Sequence, residues 1–188
     1  VTGFFGKKIE TFVAGLPLPL RVEFVTNAAY ATTGNNYSLW CALPAVGMSD
    51  MVLLDADILF DGRLLQRILA APHADALIVR RTANLSAEEI KVEINGEGIV
   101  KRIGKEVEPA LAIGESIGIE KFGPGTVRAL QTILDRRSKR NEFYEASFQE
   151  FIDDGGKVHV VDSDGLVCME IDTAADLHAA NILAQSLT

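Results

Sequence analysis

Short apolar runs of β type alternate with helical patterns along this chain, and that alternation restricts the fold to an α/β sheet of mainly parallel strands. The runs Arg21–Thr26, Met51–Ala56 and Ala76–Arg81 read as strands. Between them, Asn35–Leu43 and Gly62–Ala71 follow helical spacing, the second with Leu64, Leu65, Ile68 and Leu69 on one face. Lys91-Val92-Glu93-Ile94 and Ile99-Val100-Lys101-Arg102-Ile103 flank Asn95-Gly96-Glu97-Gly98, which predicts a β-hairpin and therefore a mixed sheet. Ala110–Phe122 is apolar enough for a buried strand, and Gly123-Pro124-Gly125 closes it and opens a helix through Leu134. A helix over Phe143–Ile152, strands over Val158–Val161 and Leu166–Ile171, and a closing helix to Leu187 complete the pattern. The 188 residues contain no repeat or linker, so one core is expected.

Within this frame the segment Met51-Val52-Leu53-Leu54-Asp55-Ala56-Asp57 places two carboxylates where an apolar strand ends. In open α/β sheets ligands collect in the crevice outside the carboxyl ends of the strands. A carboxylate there can hold Mg²⁺ against a phosphate, because Mg²⁺ favours one or two carboxylates together with phosphate oxygens and water. The same pair could simply end the strand and cap the helix near Asp61. Glu170-Ile171-Asp172-Thr173-Ala174-Ala175-Asp176 repeats the signal at a later strand end. Asp57 and Asp172 can bracket one metal if the two ends lie side by side, whereas Asp176 suits the first turn of the closing helix.

Thr33-Gly34-Asn35-Asn36 offers N–H and amide groups at a helix start, able to cap the helix or to meet a phosphate or a base edge. Gly114 and Gly118 within a strand mark a bulge or a close approach. Gly3-Phe4-Phe5-Gly6-Lys7-Lys8 lacks phosphate-loop spacing, and His73, His159 and His178 have no metal or triad spacing. A net charge of −8, with no long basic block, argues against nucleic acid as a partner. No apolar stretch approaches the about 18 residues of a membrane span, and only Cys41 and Cys168 are present, which points to a reducing cytoplasmic setting. A homo-oligomer remains open.

Taken in order, Asn27-x-x-Tyr30, Thr33-Gly34-Asn35-x-Tyr37-Ser38-Leu39, Leu53-Leu54-Asp55-Ala56-Asp57, Gly114-Glu115-Ser116-Ile117-Gly118-Ile119 and Glu170-Ile171-Asp172-Thr173-x-x-Asp176-Leu177 resemble the nucleotidyltransferase family. The branch they resemble most is the CTP:phosphocholine cytidylyltransferases and related enzymes for phosphonates or inositol phosphate. The resemblance implies a GT-A-like, Rossmann-type α/β/α sandwich with a mixed, mainly parallel sheet and an inserted hairpin. It implies transfer of CMP from CTP to a small phosphorylated acceptor, with Mg²⁺ held by Asp57 and Asp172. Asn35 matches the helix-opening asparagine near nucleotide and acceptor, and Glu115 and Glu170 fall in segments lining the acceptor pocket. Tyr144 would suit a quaternary ammonium by cation–π attraction.

The family's first strand, its glycine-rich loop with Arg and its Pro-Lys segment have no counterpart here, and Val1–Ile9 resembles the family's second strand and following helix. Residues 1–188 are therefore expected to form a single nucleotidyltransferase-like domain lacking its N-terminal nucleotide-binding segment, and on their own to bind nucleotide weakly. Other readings of the same motif are a sugar-1-phosphate nucleotidyltransferase, a GT-A glycosyltransferase, a haloacid-dehalogenase phosphatase, and a non-catalytic nucleotidyltransferase-like module.

Overall fold

The computed structural model describes residues 1–138, 140–185 and 187. In chain order its elements are α1 (Gly6–Ala14), α2 (Asn35–Val46), β1 (Met51–Leu54), β2 (Ile58–Phe60), α3 (Gly62–Ala70), β3 (Ala76–Arg80), β4 (Lys91–Ile94), β5 (Val100–Gly104), β6 (Gly114–Phe122), α4 (Pro124–Arg136), α5 (Glu145–Asp153), β7 (His159–Asp162), β8 (Cys168–Glu170) and α6 (Ala174–Ala184).

The nine-residue β6 organises the main sheet, whose order is β5-β4-β6-β3-β7. β3 pairs along one edge of β6, while the other edge is shared by β4 at Gly114–Glu115 and β1 at Ile119–Phe122. The sheet is mixed, as expected, but the balance of pairings departs from the expectation. Strands β1, β3, β4 and β7 point the same way, yet β6 runs against them from a central position, so β3–β7 is the one parallel pairing among the described residues. Local hydrophobic pattern records that a strand is buried and carries no information on the direction of its neighbour.

β3 shows how the three layers form. Successive side chains of a strand face opposite sides. Leu77 and Val79 join Phe122, Val92, Leu130 and Phe148 under α2, α4 and α5, whereas Ala76 and Ile78 join Leu64, Ile68, Ile117 and Ile119 under α3. Both faces of β3 and β6 are therefore covered, which explains why Ala76–Val79 is apolar throughout rather than alternating, and why β6 is buried at every residue but Lys121, even at Glu115, Ser116 and Glu120.

Two further expectations are corrected. Arg21–Thr26 is no strand: Thr2 N–H donates to Val25 O and Thr2 O accepts from Asn27 N–H, a single bridge at Thr26, and the chain then turns into α1 before a ladder can grow. The run Leu166–Ile171 shortens to β8, which leaves the main sheet and pairs antiparallel with β2 in a separate ribbon. The hairpin is present, although Asn95 and Gly96 do not form a two-residue turn. Asn95 Oδ1 accepts from the N–H groups of Glu97 and Ile99, and Gly98 supplies the positive φ of 76°.

Candidate active site

The geometry begins where β1 stops. Asp55 N–H still donates to Gly118 O at 3.0 Å, after which the chain leaves β6 through Ala56 and Asp57 and starts β2. In the ribbon, Ile58 stands opposite Glu170, and one step further Ile171 N–H donates to Asp57 O at 2.8 Å. That register brings the exposed Asp57 next to the exposed segment carrying Asp172, although the two lie far apart in sequence. The ends meet in the two-stranded ribbon, a different arrangement from the one sheet expected.

The capping alternatives resolve in favour of other residues. Asp61 caps α3 by accepting from Arg63 N–H at 2.9 Å. Thr173 caps α6 in a reciprocal box with Asp176, whose Oδ2 accepts from Thr173 N–H at 2.8 Å while Thr173 Oγ1 accepts from Asp176 N–H. Thr173 rather than Asp172 is thus the cap of α6, and Asp176 takes the first-turn place expected of it.

Behind Asp57 lies a buried acidic group. Tyr144 Oη donates to Asp55 Oδ1 at 2.6 Å. The carboxyl of Asp55 lies over Gly118, where φ is +70° and a Cβ would fall 2.7 Å from Asp55 Cγ, so only glycine fits. Glu120 is 1% exposed and accepts from Ser116 Oγ, and its Oε2 and the Oε2 of buried Glu145 have no hydrogen-bond partner among the described residues. Burial raises the Glu120 carboxyl well above the usual range, with Asp55 and Glu145 adding to the effect. Glu145 is pushed up to about 7, chiefly by burial. Asp55 is raised by burial against the opposing bond from Tyr144. Burial thus favours the neutral form of Glu120 and Glu145, while Asp55 accepts the bond from Tyr144.

A cleft of about 350 Å³ opens beside Glu170, Cys168, Glu115 and Arg80. Glu170 is raised by burial and then by the carboxylates of Asp172, Asp57, Asp55 and Glu115, a measure of how much negative charge converges here. Glu115 lines the cleft, and its Oε1 is held by Arg80 through Nε and Nη2. Asn35 and Tyr144 are placed differently from the expectation. Asn35 Oδ1 accepts from Tyr144 N–H at 2.8 Å, and Gly34 and Asn36 donate to the carbonyls of Arg140 and Glu142, so the start of α2 is joined to the approach to α5. Tyr144 is 3% exposed inside the core, with its hydroxyl on Asp55, and its ring cannot receive a cationic acceptor.

Sequence reading missed Arg80, Glu120 and Glu145. Arg80 carried the same signal as Asp57, a charge at the end of an apolar run; Glu120 was a lone acid inside a buried strand; Glu145 was overshadowed by Tyr144. Among the described residues no group of three or more His, Cys, Asp or Glu forms a ready metal cage. The donor set at Asp57 and Asp172 instead suits a cation that keeps ligands from phosphate and water, which is the Mg²⁺ pattern.

No protein-family model matches the chain. It is 24% identical over 196 residues to CMP-5'-(3-aminopropyl)phosphonate synthase of Streptomyces rubellomurinus (strain ATCC 31215), an alignment covering 96% of this chain and 30% of that protein. The chain therefore spans about 30% of the length of this relative. The fold is shared with the inositol-1-phosphate CTP transferase of T. maritima, at a TM-score of 0.78 and 21% identity, over 97% of this chain and 73% of that one. It is shared also with the CTP:phosphocholine cytidylyltransferase of Streptococcus pneumoniae, at a TM-score of 0.68 and 15% identity, over 94% of this chain and 74% of that one. The α/β fold expected from the motifs is thus one that this chain shares with both of these proteins.

Proposed function

We propose that the protein containing this chain transfers CMP from CTP to a small acceptor bearing a phosphate or phosphonate, with release of pyrophosphate. The observation that carries the reading is the bond between Ile171 N–H and Asp57 O, which joins two acid-bearing strand ends next to Glu170, a residue that lines the cleft. The named activities of the relative and of the two structural neighbours, all concerned with CTP or a CMP product, supply the nucleotide and the acceptor class.

In the reaction, an acceptor oxygen attacks the α-phosphorus of CTP, the bond from that phosphorus to the bridging oxygen of the β-phosphate breaks, and pyrophosphate leaves. Such a displacement needs positioning and charge stabilisation and no protein nucleophile. Asp57 and Asp172 would hold Mg²⁺, which when bound neutralises charge on the phosphates and aligns them. Burial disfavours charge on Glu120 and Glu145, which limits the negative charge behind the metal-holding pair, and the Tyr144–Asp55 bond with the Gly118 contact fixes the turn that presents Asp57. Among the described residues no helix is long and apolar enough to cross a membrane, and the two free thiols accord with a cytoplasmic setting.

The test is pyrophosphate release by the full-length protein across CTP, UTP, dTTP and ATP, each with phosphocholine, 2-aminoethylphosphonate, inositol 1-phosphate and glucose 1-phosphate. Release confined to CTP with one of the first three acceptors is expected, lost in both Asp57→Asn and Asp172→Asn. Release confined to UTP or dTTP with glucose 1-phosphate would replace the reading by a sugar-1-phosphate nucleotidyltransferase.

A further inference from the structure

Arg80 ends β3, whose preceding residues Ala76–Val79 are all buried, so its backbone is fixed by the centre of the sheet. Its guanidinium is held from two sides. Nε and Nη2 bond Glu115 Oε1, and Nη1 donates to Cys168 O at 3.1 Å. A guanidinium carries five N–H donors. Three are engaged in these contacts, and one on each terminal nitrogen is left. The side chain is 49% exposed, so this remaining edge is reachable from the cleft.

The charge around it makes that edge unusual. Glu88, Glu89, Glu115, Glu170 and Asp176 also line the cleft, and Arg80 is the only cationic side chain among its lining residues. A phosphate monoester or phosphonate entering here meets five acidic side chains and a single cation, Arg80. Planar guanidinium forks match the geometry of such tetrahedral anions and bind them by charge-assisted hydrogen bonds. Glu115 is too fully engaged with Arg80 to serve as an independent ligand, but it is well placed to fix the plane of the fork.

We propose that Arg80 is the acceptor-binding residue that receives the phosphate or phosphonate group through its two outward N–H donors, and that Glu115 is the positioning residue that orients it. The assignment rests on the phosphorylated-acceptor reading above and names the group that recognises that acceptor. It also explains how a cleft lined with acids can admit an anionic substrate beside Asp57 and Asp172.

The experiment uses the full-length protein and the variants Arg80→Gln, Arg80→Lys and Glu115→Gln. KM is measured separately for CTP and for the acceptor that is turned over, and phosphocholine, 2-aminoethylphosphonate and inositol 1-phosphate are titrated by calorimetry in the absence of CTP. Loss of charge-assisted bonds should raise the acceptor KM of Arg80→Gln by about tenfold to a hundredfold. The KM for CTP and the thermal midpoint should stay at the wild-type values. Arg80→Lys should recover part of the loss, and Glu115→Gln should show a smaller rise in acceptor KM with kcat little changed. A folded Arg80→Gln with wild-type acceptor KM overturns the proposal. So does a parallel rise in both KM values, which would mean that Arg80 serves only to anchor β8. If Arg80→Gln does not fold, wild-type acceptor KM in both Arg80→Lys and Glu115→Gln overturns it. Calorimetry separates the two readings: acceptor binding that depends on Arg80 without CMP transfer would retain this assignment and remove the proposed reaction, whereas no binding of any of the three compounds to the wild type would remove this assignment.

Discussion

Replacing Gly118 by alanine strikes the point where the sheet, the buried acids and the candidate metal site meet. Gly118 has a φ of +70°, and a Cβ there would lie 2.7 Å from Asp55 Cγ and 2.8 Å from Asp55 Cβ. The left-handed conformation costs a non-glycine residue about 1–2 kcal/mol. The clash must also displace Asp55, breaking its 2.6 Å bond from Tyr144 Oη, and a hydrogen bond to a charged group contributes about 1.5–3 kcal/mol. Together these predict a loss of about 2.5–5 kcal/mol in equilibrium urea unfolding. Tyr144→Phe removes only the second contribution and should lose about 1.5–3 kcal/mol. Because Asp55 anchors the turn that presents Asp57, both variants should also weaken Mn²⁺ binding, read by water-proton relaxation, with Gly118→Ala the weaker binder. A Gly118→Ala protein within about 0.5 kcal/mol of wild type, with unchanged Mn²⁺ affinity, would refute the claim that this contact holds the site.

Asp176→Asn should lower stability by about 1 kcal/mol through the α6 capping box and leave CMP transfer measurable where Asp57→Asn abolishes it, as unfolding and turnover measured on the same preparation will check. The Glu145 carboxyl, raised to about 7 in the folded protein from an ordinary value of 4.5, holds a proton that the unfolded chain releases between those values. Its contribution favours folding below about pH 4.5 and is lost as pH rises through about 7, so Glu145→Gln should flatten the fall in stability across this window, by at most about 3 kcal/mol. Urea unfolding at pH 5 and pH 8 decides this; an unaltered pH dependence in Glu145→Gln would contradict the buried, protonated assignment.

The parts of this structure that were legible in the sequence are those fixed by neighbours along the chain. The Asn95–Gly98 turn, the Thr173–Asp176 cap and the Pro124 opening of α4 each depend on contacts a few residues apart. Asp57 and Asp172 stood out because acids at strand ends are costly without a purpose. The remainder depended on long-range pairing. Nothing in Leu166–Ile171 says that it will pair with Ile58–Phe60 and leave the main sheet, and nothing in Arg21–Thr26 says that only Thr2 will meet it. Side-chain roles failed for the same reason. Tyr144 looked available for a ligand until packing placed it in the core, and Glu115 looked available until Arg80, on a different strand, occupied its carboxylate.

The central claim is tested most directly by following the α-phosphate of CTP in the full-length protein with Mg²⁺ and an acceptor. The account predicts that the label appears in a cytidine diphosphate-type ester with the acceptor, matched by an equal amount of pyrophosphate, and that neither product forms with Asp57→Asn. Label recovered only as free CMP, or as an ester formed equally well by Asp57→Asn, would contradict it.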